Sequence, residues 1–101
     1  MSGTVFHIVS FKFKPDVSAQ DLAEIGRAFE GLQRSISQVR SLDGGANVST
    51  EGHAKGHTHC WVLTFASLTD RDTYLVHPDH VAFAGQVGPL VEDVFVVDFI
   101  S

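Results

Sequence analysis

A tyrosine close to two histidines in one short segment is the feature of this sequence with the clearest chemical meaning. The segment is Tyr74-Leu75-Val76-His77-Pro78-Asp79-His80-Val81-Ala82-Phe83. Because proline cannot continue the preceding helix and biases His77 to an extended conformation, we expect the chain to turn here and to bring Tyr74 and His80 together. Imidazole titrates near neutral pH and a phenol donates a hydrogen bond to a developing oxyanion, so Tyr74 and His80 are predicted to be catalytic residues for proton transfer.

Two further histidines, His7 and His59, lie in segments rich in large apolar residues. A neutral imidazole buried there needs a hydrogen-bond partner, or it costs roughly 1–3 kcal/mol. Two interpretations stay open: hydrogen-bonded core histidines, or polar groups that orient a ligand on the apolar walls of a pocket. In the second interpretation the predicted walls are Val9, Phe11, Phe29, Trp61 and Phe83.

A metal centre is the third possibility, because His53, His57 and His59 form a His-x₃-His-x-His pattern. If 57–66 is a strand, His57 and His59 lie on one face about 7 Å apart. The pattern would indicate a metal-dependent oxygenase or lyase, but there is a single cysteine and no His-Glu-x-x-His segment to support it. We therefore expect no metal site, and interpret these residues as a strand-end histidine and a solvated loop histidine.

Composition limits the classes of partner. The 101 residues carry seven basic and twelve acidic side chains, a net charge of −5, and 44% of them are hydrophobic. An acidic chain of this size predicts one compact domain, 1–101, that binds neither nucleic acid nor anionic membranes. With one cysteine, Cys60, no apolar run long enough to span a bilayer and no basic and apolar leader at its start, we expect a cytoplasmic protein.

Hydrophobic periodicity predicts the elements that position these residues. Ser18 and Asp21 resemble a capping box, and apolar residues then recur every three or four positions from Leu22 to Val39, which indicates a helix of about five turns. The other predicted elements are a strand over 4–14, a turn at 43–45, strands over 46–50 and 57–66, a helix from 69 or 70 to 76, a partly helical stretch over 81–91 and a strand over 94–100.

The predicted order is β-α-β-β-α-β, the α+β arrangement of ferredoxin-like folds. The strand over 57–66 is largely apolar on both faces, whereas two helices cover only one face of a four-stranded sheet. A monomer would leave an apolar patch larger than the few hundred Å² usual for soluble proteins. We therefore predict a homodimer in which two sheets close face to face.

Three segments together resemble the stress-responsive dimeric α/β barrel (Dabb) family. They are Tyr-x-x-His-Pro-x-His-x-x-Phe over 74–83, His-x-Val-x-Phe-Lys-Phe-Lys over 7–14 and Gly-x-Thr-His over 56–59. The resemblance extends over 6–99 and implies a ferredoxin-like subunit whose dimer closes into an α/β barrel.

The resemblance also implies an activity. A plant cyclase of this family folds a linear polyketide by aldol condensation without a cofactor, and its general base, assisting tyrosine and pocket histidines correspond to His80, Tyr74, His7 and His59. We accordingly expect no cofactor here, and a small polyketide-like carbonyl compound as the ligand of a cyclase or lyase. The alternative is a non-enzymatic stress-response or ligand-binding module.

This chain departs from that cyclase in the shape of the pocket. Phe29 replaces a tyrosine, Trp61 a valine and Val91 a tryptophan, so the polar residues are kept while the cavity changes. Some plant relatives also hold a magnesium ion through backbone carbonyls near the end of the first helix, which corresponds to 33–39. Backbone ligands leave no side-chain signature, so the sequence leaves that ion open.

Overall fold

The structure is a computed structural model that describes residues 3–101, so Met1 and Ser2 of the predicted domain lie outside it. Its elements are β1 (Val5–Phe13), α1 (Ala19–Ser35), β2 (Ser41–Ala46), β3 (His59–Phe65), α2 (Leu68–Val76), α3 (Pro78–Val87), a 3₁₀ turn (Gly88–Leu90) and β4 (Val91–Ile100). The ferredoxin-like order is confirmed, with the second helix divided at Pro78. The strands form one antiparallel sheet in the order β2-β3-β1-β4.

Strand alternation gives the sheet a helix-covered face and an open face. In β1, Val5, His7, Val9 and Phe11 are buried under the helices, while the residues between them are only partly buried. The register with β4 keeps this division, because His7 lies opposite Asp98 and the next residue of β1 lies opposite Val97. Every position of β1 is therefore assigned to one face.

α1 begins where the sequence predicts. The Ser18 side chain accepts from the backbone N–H of Asp21 at 3.0 Å, and the Asp21 carboxylate accepts from the N–H of Ser18 at 3.2 Å. The helix ends at Ser35, however, and Ile36 is extended. Ile36 and Val39 are buried, so the apolar stripe continues in space after the helix has stopped.

The prediction of a turn at 43–45 is wrong, because Asp43, Gly44 and Gly45 lie inside β2. Gly44 lies opposite Trp61, and a Cβ on Gly44 would overlap the indole Cδ1. The glycine is there because the indole ring lies against the strand. β2 thus runs from Ser41 to Ala46, whereas the sequence predicts a strand that begins at Ala46.

Three boundaries near the candidate site also differ from prediction. Ser67, not residue 69 or 70, caps α2 by accepting from the N–H of Asp70 at 3.1 Å. α3 begins at Pro78 and runs through Gly85 without interruption, and β4 begins at Val91. Between residues 3 and 101 no helix is long and apolar enough to cross a membrane.

We predict that Gly44→Ala lowers the free energy of unfolding by about 1–3 kcal/mol, because the added methyl group overlaps the Trp61 ring. Gly45→Ala is the matched control: a Cβ there has no neighbour within 4 Å, and we expect a change below about 1 kcal/mol. Urea unfolding followed by Trp61 fluorescence measures both. Equal effects of the two substitutions would contradict this explanation of Gly44.

Candidate active site

A cleft of about 660 Å³ lies between the helices and the β1–β4 half of the sheet. Seven of the nine predicted site residues line it: His7, Val9, Phe11, Phe29, Tyr74, His80 and Phe83. The wall is thus mostly aliphatic and aromatic, with a few polar groups at one end, which is the usual composition of a small-molecule site.

The break at Pro78 orients His80. Pro78 is the first residue of α3, and the His77 ring caps that helix by accepting from the N–H of Asp79 at 3.1 Å. Carbonyls in the last turn of a helix lack an intrahelical partner, and that of Leu75 in α2 lies 3.0 Å from Nδ1 of His80. Because a carbonyl only accepts, Nδ1 carries the proton in the neutral ring, and Nε2 carries the lone pair.

Tyr74 lies beside this imidazole. The two ring centroids are 4.5 Å apart, and Tyr74 is only 1% exposed. Within residues 3–101 no fully buried side-chain polar atom lacks a hydrogen-bond partner, and no protein group bonds the phenol oxygen. That oxygen therefore reaches the cleft, where a ligand can accept its hydrogen bond.

Burial sets the protonation states that this pair favours. It lowers the pKa of His80; the hydrogen bond to the Leu75 carbonyl raises this pKa by less, and electrostatic repulsion from His7 adds a still smaller lowering. Burial also raises the pKa of Tyr74 well above its ordinary range. At neutral pH the site thus holds an unprotonated imidazole and a protonated phenol, a base next to a hydrogen-bond donor.

His7, the second imidazole at the cleft, belongs to a hydrogen-bonded network with Asp98 and Arg71. The sequence analysis identified His7 but neither of its two partners. His7 donates from Nδ1 to Asp98 Oδ1 at 2.8 Å, and Asp98 Oδ2 accepts from Arg71 at 3.1 Å. Arg71 also pairs with Asp72 at 2.9 Å. The feature of the sequence that could have indicated this network is Asp98, the single carboxylate in the otherwise apolar stretch over 94–100.

The structure does not bring Trp61 and His59 to the cleft. Trp61 is buried behind its wall and stacks on Phe29 with the ring centroids 4.9 Å apart. His59 also stacks on Trp61, with the ring centroids 5.9 Å apart, and bonds the Thr58 hydroxyl at 2.9 Å. Burial lowers the pKa of His59, which lines a separate pocket of about 360 Å³.

The predicted common face for His57 and His59 is also wrong. His57 precedes β3 and bonds Ser10 and Asp93, whose side chains lie on the open face, whereas His59 lies on the helix side. In the part of the chain that the structure describes, no three His, Cys, Asp or Glu side chains are grouped so that they could hold a metal ion.

Residues 5–101 match the family described as the stress responsive A/B barrel domain, or Dabb. The chain is 31% identical to the stress-response A/B barrel domain-containing protein HS1 of Arabidopsis thaliana, over 96% of this chain and 89% of that protein. It is 25% identical to olivetolic acid cyclase of Cannabis sativa, over 94% of each chain.

Among solved structures, hydroxynitrile lyase from Passiflora edulis superimposes with a TM-score of 0.93 at 25% identity, over 100% of this chain and 95% of that one. A protein of unknown function from Bacteroides fragilis, described as dimeric and ferredoxin-like, superimposes with a TM-score of 0.78 at 28% identity, over 98% and 97% of the two chains.

We predict that Asp98→Asn lowers the free energy of unfolding by about 1–3 kcal/mol, because His7 and Arg71 bond different oxygens of this largely buried carboxylate, and replacing one oxygen with NH₂ sets a donor against a donor. Asp72→Asn is the matched control, since Asp72 pairs with the same guanidinium but its side chain is 64% exposed, and we expect it to cost less than about 0.5 kcal/mol. Thermal or urea unfolding distinguishes the two. A larger loss in the Asp72 variant would contradict the stabilising role of Asp98.

Proposed function

The chain belongs to the stress-responsive A/B barrel domain family, and from that premise we propose that it is a homodimeric α/β barrel protein that acts as a cyclase or lyase on a small, uncharged carbonyl compound. His80 is the general base and Tyr74 the oxyanion donor. The observation that carries the proposal is the fixed imidazole: Nδ1 is occupied by the Leu75 carbonyl, so the lone pair is on Nε2, beside a phenol that opens to the cleft.

The proposed step is a proton transfer. Nε2 of His80 removes a proton from the carbon next to a carbonyl group, the electrons of the C–H bond form an enolate, and Tyr74 donates to the enolate oxygen. In a cyclase the enolate carbon then attacks a second carbonyl of the same molecule, and the alkoxide so formed takes the proton from His80. In a lyase the base removes a hydroxyl proton instead, and the electrons of that O–H bond form the carbonyl. The leaving group departs with the electron pair of its bond to carbon and takes the proton from His80.

The charges at the cleft support an uncharged ligand. Arg71 is the one arginine or lysine that lines it within residues 3–101, and its guanidinium is already shared by Asp72 and Asp98. Glu92 and Asp98 add carboxylates to the same lining. A substrate carboxylate at the polar end would therefore meet repulsion without an unpaired cation, while a ketone or aldehyde meets the phenol and two imidazoles.

Two of the similar proteins are enzymes by name, a cyclase and a lyase, and both names fit general base chemistry at a carbonyl carbon. The HS1 protein carries only a stress-response name. The alternative function is accordingly a non-enzymatic stress-response module that binds a ligand in the cleft, and it differs from the proposal by binding without turnover.

The proposed second subunit covers β4 and the open face. β4 is an edge strand with apolar side chains exposed on both faces; Phe95, Val97 and Phe99 of the open face are 56%, 44% and 47% exposed. Phe6 stacks on Phe99 at 4.7 Å and extends this surface onto β1. A second copy offers the same apolar surface in return, and the dimeric Bacteroides fragilis protein supports that choice.

The base is tested by exchange of the α-protons of phenylacetone in D₂O, followed by ¹H NMR. We expect the protein to accelerate this exchange, His80→Ala to reduce the acceleration by about 10²–10⁴-fold and Tyr74→Phe to reduce it by about 10²–10³-fold. His53→Ala, in the exposed loop away from the cleft, is the matched control and should be unchanged. Mandelonitrile cleavage, measured as released benzaldehyde, tests the lyase direction.

The pH dependence gives a second criterion for the same variants. The base must be unprotonated, so the exchange rate falls as pH decreases through the pKa of His80. Because burial lowers that pKa, the midpoint lies below the ordinary histidine value of about 6.5. If phenylacetone binds saturably but no variant, nor the native protein, accelerates exchange, the result would favour the non-enzymatic binding module over the enzyme. Full activity of His80→Ala would contradict the proposed mechanism.

The dimer is tested by sedimentation velocity of the native chain, for which we expect about twice the chain mass of 11.0 kDa. Val97→Asp places a charge at the centre of the exposed strand and should dissociate the dimer, because an unpaired charge in an apolar interface is strongly unfavourable. Val48→Asp is the matched control, since Val48 lies in a loop and is 89% exposed. A native monomer at micromolar concentration would refute the dimer.

A further inference from the structure

Two imidazoles line the cleft, and the proposed function uses only one of them as a base. His80 lies in α3, on the helical wall, whereas His7 lies in β1, on the sheet wall. The Tyr74 ring contacts both, with centroid distances of 4.5 Å to His80 and 5.9 Å to His7. A ligand carbonyl that accepts from Tyr74 would thus have one imidazole on either side of it.

The partners of His7 leave one ring nitrogen free for a ligand. Nδ1 lies 2.8 Å from Asp98 Oδ1, and because a carboxylate only accepts, Nδ1 is the donor. Within residues 3–101, Nε2 of His7 has no hydrogen-bond partner, and no fully buried side-chain nitrogen or oxygen lacks one. Nε2 of His7 therefore reaches the cleft. The same holds for Nε2 of His80, whose Nδ1 is held by the Leu75 carbonyl.

The two imidazoles favour opposite protonation states. The Asp98 side chain is only 19% exposed and its second oxygen accepts from Arg71 at 3.1 Å, and a carboxylate bonded to an imidazole favours the protonated ring. The Leu75 carbonyl carries no such charge. Burial lowers the pKa of His80, and repulsion from His7 adds a small further lowering. The pair therefore presents an acid on the sheet wall and a base on the helical wall.

The apolar end of the cleft suits a substituent on the reacting carbon. Phe29 contacts Phe83 with the ring centroids 4.7 Å apart and Phe11 with the centroids 6.4 Å apart, and all three rings line the cleft. An aryl or alkyl group bound against these rings leaves the carbonyl at the polar end. The carbon that joins the two groups then lies near both imidazoles, where transfer from each needs an approach of about 3–3.5 Å.

We infer that the cleft is a two-base site that inverts the configuration of the carbon next to the carbonyl group in small, uncharged, chiral aldehydes and ketones, with His80 and His7 as the two catalytic residues. The inference rests on the proposed function and extends it. Removal of a proton needs one base, whereas inversion needs a second group on the opposite face of the same carbon.

The inversion consists of two proton transfers. Nε2 of His80 removes the hydrogen as a proton, and the electrons of the C–H bond form an enolate whose oxygen accepts from Tyr74. Nε2 of His7 then gives its proton to the opposite face of that carbon, and an electron pair of the enolate forms the new C–H bond. The proton now on His80 and the lone pair on His7 permit the reverse reaction of the opposite enantiomer, and exchange with water restores the starting state.

The probe is 2-phenylpropanal, which has one hydrogen next to its carbonyl group, on its only stereogenic carbon. Each pure enantiomer is incubated with the native protein in D₂O, and chiral chromatography with mass spectrometry measures the deuterium in both enantiomers at low conversion. We expect deuterium first in the inverted enantiomer, while the starting enantiomer keeps its hydrogen, because the incoming deuterium is supplied by His7.

Variants assign the two roles. His7→Asn keeps a donor for Asp98 but has no titratable nitrogen. We expect it to lower the ratio of inversion to exchange about 10-fold or more, since His80 alone returns deuterium to the face from which it took the hydrogen. His80→Ala should reduce both rates by about 10²–10⁴-fold. His53→Ala, in the exposed loop, is the matched histidine control and should keep the native ratio, and circular dichroism checks the fold of each variant.

The position of the deuterium in the native protein decides the outcome even if a variant does not fold. Deuterium in the retained enantiomer alone would mean that one base serves one face, which overturns the inference and leaves the proposed function intact. Equal deuterium in both enantiomers would also overturn it, since an enol released into solution gives that result. Absence of both exchange and inversion would contradict the proposed function itself and the inference with it. An unchanged ratio in folded His7→Asn would eliminate His7 as the second base.

Discussion

The sheet has more apolar surface than the three helices of the described chain can cover, and most features of the molecule follow from this shortage. The helices bury alternate residues of β1 and β3, such as Val9 and Leu63, but they do not extend over β4, where Val94 and Val96 are each 51% exposed on the helix side. Each Å² of apolar surface left in water forgoes roughly 25 cal/mol. The uncovered stretch forms one wall of the cleft, and the opposite face of the same strand is the proposed subunit contact. The cleft and the proposed subunit contact therefore share one physical cause.

The position of His80, the proposed base, depends on an interrupted helix. Had α2 continued past Val76, the Leu75 carbonyl would accept from the backbone N–H of Asp79. The chain turns at Pro78 instead, and the N–H of Asp79 donates to the His77 ring. The carbonyl left unpaired accepts from His80, so one local defect both positions the ring and selects its tautomer. A bond of this kind restrains the imidazole without the charge of a carboxylate. Desolvation then keeps the ring unprotonated, as a base requires at neutral pH.

The sequence predicts those parts of the fold that depend on neighbours along the chain. The capping box at Ser18, the break at Pro78 and the alternation of β1 are local, and the structure confirms them. The errors concern contacts between distant residues. Gly44 resembles a turn residue until its strand partner is known to be Trp61, and His57 leaves the face of His59 because Ser10 and Asp93 provide partners on the other side. Likewise, the partner of His7 is 91 positions away, and only the register of β1 with β4 identifies it.

The imidazoles of His7, His57 and His80 are each held by a hydrogen bond, but the acceptors differ in charge. In each, one ring nitrogen donates to an oxygen held by the fold: the Asp98 carboxylate for His7, the Asp93 carboxylate for His57 and the Leu75 carbonyl for His80. A carboxylate stabilises the imidazolium that forms when the ring takes up a proton. A neutral carbonyl gives less of this stabilisation, so His80 returns its proton more readily, which suits a base that must be regenerated on the same substrate. Because β1 directs alternate residues to opposite faces, His7 lies at the cleft, whereas Ser10, the partner of His57, lies on the open face of the same sheet.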